Sequence, residues 1–143
     1  MRNVITVSFV ICLAAIAAAA QPVYTPEKGS AERKAILDAL RVPVEKQLKQ
    51  KVIFAADNFN VLGNWAFIGG QPQSPDGGSP DYSGTSYARA KAEGFFDNNI
   101  FALLKKTAGT WKVVTYQLGC TDVCYLPWQK RYKAPKAVFP YTE

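Results

Sequence analysis

At Val52 the spacing of apolar residues changes from three and four to two, and that switch limits the chain to a helix followed by strands. Before it, Ile36, Leu37, Leu40, Val44 and Leu48 make one apolar stripe, while Glu32, Arg33, Asp38, Arg41, Glu45, Lys46 and Lys49 take the other faces. Ser30 is placed to cap this helix, and Glu32 falls in the first turn, where the helix dipole favours a carboxylate. Pro43 lies inside the stripe. It deletes a backbone hydrogen bond and crowds the carbonyl four residues back, so the helix is expected to bend or restart there.

After the switch, VIFAADNFNV and WAFIGGQ read as a hairpin separated by Leu62-Gly63-Asn64, with Trp65 and Phe67 on one face and Ala66 and Ile68 on the other. The apolar phase slips between Ala56 and Phe59, which predicts a bulge near Asp57-Asn58. Residues 71–86, rich in Pro, Gly, Ser and Asp, read as a long surface loop inserted flexibly between strands, with Tyr82 near its tip. Gly69-Gly70 and Gly77-Gly78 read as turn glycines, since neither pair opens the helix that a phosphate cradle requires. YARAKAE (87–93) fits a short helix or a strand edge, and IFALLKKT and TWKVVTYQL form a second hairpin about Ala108-Gly109.

From Tyr125 onward, Trp128, Tyr132, Phe139 and Tyr141 alternate with Lys130, Arg131, Lys133 and Lys136 around three prolines. Pro127 suits the first position of a short helix, which Pro135 keeps from running far. Such a tail either presents an anion- or sugar-binding face or, more commonly, packs its rings on the domain and extends its lysines into water.

The first twenty residues have a charged start, an apolar run from Val4 to Ala20 and four closing alanines, the pattern of a secretory signal peptide cleaved after Ala20. The run is short for a membrane span, and no second apolar segment follows it, so no transmembrane segment is expected after cleavage. Cys12 leaves with the leader. Residues 21–29 read as an N-terminal arm and 30–143 as a single α+β domain, periplasmic or secreted. Seventeen bases against eleven acids point to anionic partners, while the absence of a basic stripe and the compartment argue against nucleic acid.

The mature chain holds two cysteines and no histidine. Cys120 and Cys124 are therefore predicted to form a disulfide, their Cα atoms about 6 Å apart, bracing Thr121-Asp122-Val123 at the end of a strand. Without histidine, Ser-His-Asp and Cys-His nucleophiles are impossible, and a closed zinc site lacks ligands. No catalytic residue, metal or cofactor is assigned; a carboxylate pair in space stays open, with Asp57 and Asp122 the candidates.

The segments ERKAILDALRVPVEKQL, NVLGNWAFIGG and TWKVVTYQLGCTDVC, through the words A-L-R-x-P-V-E, G-x-W-A-F, W-x-V-V and G-x-T-D-V, resemble a family of small exported bacterial proteins of uncharacterised activity. The cysteine pair is a departure expected in few relatives. The element order resembles the cystatin-like and NTF2-like group, implying an N-terminal proline-bent helix on a curved antiparallel sheet of about four strands. The expected function is a non-catalytic interaction module, inhibitor- or immunity-like, that binds an envelope protein or anionic polymer. Asp122, Trp128, Tyr82, Tyr132 and Arg131 are its candidate contact residues. The alternative is a small-molecule or enzymatic pocket between sheet and helix, which would have to be hollow. Nothing in the residues demands an oligomer.

Overall fold

The computed structural model describes residues 21–142, so the leader expected over residues 1–20 lies outside the described residues. The apolar stripe becomes helix α1, Ala31–Leu48, whose Ile36, Leu40, Val44 and Leu48 are buried. Ser30 caps it, its hydroxyl accepting from the Arg33 amide at 3.2 Å. The expected restart at Pro43 does not occur: the helix is continuous. One missing bond, to the Ala39 carbonyl, is outweighed by the buried residues on both sides of the proline. Exposed faces of α1 carry ion pairs of Asp38 with Lys34 and Arg41, which hold the Asp38 carboxyl below the usual carboxylate range.

Strands β1 (Ile53–Leu62), β2 (Trp65–Gln73), β3 (Ile100–Thr107) and β4 (Thr110–Leu118) pair in chain order as one antiparallel sheet, which with α1 makes an α+β fold. Both predicted hairpins form. Leu62 pairs with Trp65 around Gly63-Asn64, and Thr107 with Thr110 around Ala108-Gly109, where both turn residues have positive φ. The predicted bulge falls on Asp57, since Ala56 pairs with Gly70 and Asn58 with Gly69. Those two glycines are thus strand residues, not turn residues. Gly70 faces the bulge so closely that a Cβ would lie 2.1 Å from the Ala55 carbonyl oxygen. A second bulge, on Val114 opposite Leu103-Leu104, has no counterpart in the apolar pattern.

The sheet is apolar on both faces. On one, Phe59, Val61, Ala66, Ile68, Ile100, Ala102, Leu104, Trp111 and Leu118 pack with α1. On the other, Phe67 and Leu103 are fully buried beneath Tyr125, Trp128, Val138 and Phe139. The C-terminal run is therefore a third layer, built from α3 (Trp128–Tyr132) and a 3-10 turn at Lys136–Val138. Its packing form is the one observed, with an edge-to-face contact of Phe67 and Tyr125 at 4.8 Å.

Residues 71–86 are not a free insert. β2 runs into them as far as Gln73, and the Gln50 side chain clamps Asp81 by donating to its carbonyl at 2.6 Å and accepting from its amide at 3.0 Å. Residues 87–93 settle as a short helix, α2 (Ala88–Ala92). The N-terminal arm joins the sheet at one point, where Tyr24 and Val61 exchange backbone hydrogen bonds of 3.0 and 2.7 Å.

Candidate functional site

The two candidate carboxylates do not meet. Ala56, Gly70, Ile100 and Leu118 lie in one row across the sheet, so Asp57 and the end of β4 are separated by three strand spacings, about 14 Å. Asp57 projects from the β1 bulge into an open groove of about 340 Å³ beside Lys28 and Arg33. Arg33 is engaged elsewhere, donating to the Pro26 carbonyl at 3.1 Å and lying over the Phe59 ring at 4.5 Å.

Asp122 lies beyond β4. Gly119, at φ +72°, turns the chain against the Phe96 ring, and Asn99 then grips Cys120 by accepting from its amide at 2.8 Å and donating to its carbonyl at 2.7 Å. Cys120 and Cys124 form the predicted disulfide, their Cα atoms 6.1 Å apart. Within that small ring the exposed Asp122 carboxylate accepts from the Val123 amide at 2.7 Å, and its carbonyl accepts from Cys124. It is a local turn bond, with one oxygen left for solvent or a partner.

Two of the five candidate contact residues are internal. Tyr82 is 2 % exposed, its hydroxyl donating to Asn98 at 2.7 Å, and burial pushes that phenol up to about 12. Trp128, 5 % exposed, is part of the layer over Phe67. Both rings are core because their neighbourhoods in sequence, a polar loop and a basic tail, fold back onto sheet surface that periodicity leaves unassigned. Tyr132 is half-buried at the edge of that layer, and Arg131 is exposed.

The volume that a pocket between sheet and helix would occupy is filled by the apolar side chains of the α1 layer. No polar or charged residue is buried among those described. Among the described residues no cluster of three or more Cys, Asp or Glu is placed to hold a metal ion, and no helix is long and apolar enough to cross a membrane.

What the linear reading missed is a row of side chains on the face opposite α1. Trp65 pairs with Lys105 and Lys105 with Lys112, directly across three strands. The Lys105 ammonium lies over the Trp65 ring at 4.8 Å. A signal was present: Lys105 and Lys112 are equidistant from the Ala108-Gly109 turn, so a two-residue hairpin must set them opposite each other.

No family model matches the chain, and neither a curated protein nor a solved structure matches it.

Proposed function

We propose that this protein is an exported, non-catalytic interaction module that binds an envelope protein or polymer through its surface. The single observation carrying the reading is the apolar interior: each face of the sheet carries a packed apolar cluster, and Asp57 lies about 14 Å across the sheet from the end of β4 that leads to Asp122. The Cys120–Cys124 bond and the lack of a membrane-crossing helix among the described residues are compatible with export. An N-terminal helix followed by a four-strand meander also supports likening the layout to the cystatin-like and NTF2-like group.

The test has two parts. A full-length chain fused to a C-terminal tag should be recovered outside the cytoplasm, beginning at Gln21; retention of residues 1–20 in a cytoplasmic product would defeat the export reading. The mature chain should then co-sediment with isolated envelope material. Recovery entirely in the supernatant at low salt would defeat the binding reading.

A further inference from the structure

Of the surface features, the basic row opposite α1 is the one whose cost the fold itself does not explain. Lys105 and Lys112 are a directly opposed cross-strand pair, the arrangement in which like charges destabilise a sheet. Alternation puts both on the second face: Leu104 and Trp111 belong to the α1 layer, and Lys106 also lies on that side, over Trp111 at 5.6 Å. Among the described residues no carboxylate forms an ion pair with either lysine. The ion pairs of the described residues join Lys34, Arg41, Lys51, Arg89 and Lys106 to acids of α1 and α2 or of their ends.

The same face of the sheet carries the C-terminal layer, where Lys130, Arg131 and Lys133 are exposed and form no ion pair among the described residues. The one described acid in the segment after β4 is Asp122, already bonded to Val123. Among the described residues the ion pairs thus lie about α1 and α2, and none joins the cations of this second face. Trp65 adds order: its ring holds the Lys105 ammonium in place beside Lys112.

We propose that this face, centred on Trp65, Lys105 and Lys112 and extended by Lys130, Arg131 and Lys133, binds a linear acidic polysaccharide. The inference rests on the interaction-module reading and names its partner class. Lysine ammoniums are point charges on long flexible stems, suited to successive singly charged groups along a polymer rather than to one bidentate anion. A nucleic-acid strand would need open aromatic faces for its bases, and the half-buried Trp65 has a ring face taken by Lys105. A bilayer would need projecting apolar anchors, and neither the row nor α3 supplies one: among the described residues the large exposed apolar side chains are Val23, Tyr24, Val42, Ile53, Phe95 and Tyr141.

The probe is polygalacturonate, titrated calorimetrically into the mature chain at low salt, with neutral dextran as the uncharged control. K105A/K112A should weaken binding by roughly tenfold or more. K28A/K46A, which removes the same charge from the arm and α1, should leave it within about twofold. K105A/K112A should also melt at or above the parent temperature, because an opposed like-charge pair is relieved. Equal losses in the two doublets would reduce the effect to net charge and overturn the site. Tighter, Lys105-dependent binding to anionic phosphatidylglycerol vesicles or to single-stranded DNA would overturn the ligand class. If polygalacturonate fails to bind while the mature chain still co-sediments with envelope material, this proposal falls and the broader reading stands.

Discussion

Tyr82 illustrates how one buried polar atom ties stability to pH. Its phenol is raised to about 12 by burial, against about 10 in the unfolded chain, and Tyr87, Tyr116 and Tyr125 are raised in the same direction, chiefly by burial. Below pH 10 both states hold the proton, so the stability is complete. As pH rises from about 10 to about 12 the unfolded chain ionises first, and Tyr82 alone should withdraw roughly 2–3 kcal/mol. Urea titrations across that range should show the fall, and Tyr82→Phe should flatten it while losing the Asn98 hydrogen bond. Gly119 is a second determinant at this scale. Its positive φ, and a Cβ position only 2.0 Å from the Phe96 ring, predict that Gly119→Ala costs about 2–4 kcal/mol, readable as a lower urea midpoint at unchanged slope. The glycine at that site was visible in the sequence; its necessity was not, because Phe96 reaches it from a separate segment.

Among the elements, those with a strong period were legible and those defined by a partner were not. Stripe spacing located α1, and β-branched alternation with two glycine turns located both hairpins, because these signals act within the segment. The layer after Pro127 has no period, and its rings are fixed only by contact with Phe67 and Leu103. The candidate site divides in the same way. Arg131 and Asp122 are exposed, as a contact residue must be, but Tyr82 and Trp128 are core, and the Lys105–Lys112 row required hairpin register to see. The disulfide segment spans both cases: the spacing foretold the bond, whereas its anchoring by Asn99 needed the fold. Because Asn99 holds Cys120 independently, reduction should loosen the segment without unfolding the domain. A loop this small contributes about 2 kcal/mol, so dithiothreitol should lower the melting temperature by roughly 5–10 °C with near-native circular dichroism retained below it.

For the molecule as a whole, the third layer decides whether a native state exists. Tyr125, Trp128, Val138 and Phe139 are buried on the second face, and such side chains contribute roughly 1.5–3 kcal/mol each. Their sum rivals the entire net stability of a typical domain, about 5–15 kcal/mol. A chain ending at Cys124 should therefore lose its near-ultraviolet circular dichroism and bind a hydrophobic dye, with Phe67 and Leu103 uncovered. A cooperative melt in that truncated chain would show that α1 and the sheet suffice.

The meander order also sets a timetable. Each hairpin closes through a two-residue turn and can form within about 1–10 μs, whereas β2 must find β3 across the whole of residues 74–99. That closure is the entropic barrier, so contacts such as Ile68 with Ala102 belong to the rate-determining nucleus, and the C-terminal layer condenses on a sheet already assembled. In stopped-flow chevrons, Ile68→Val should slow refolding and Val138→Ala should mainly quicken unfolding, a φ-value near one for the first and near zero for the second.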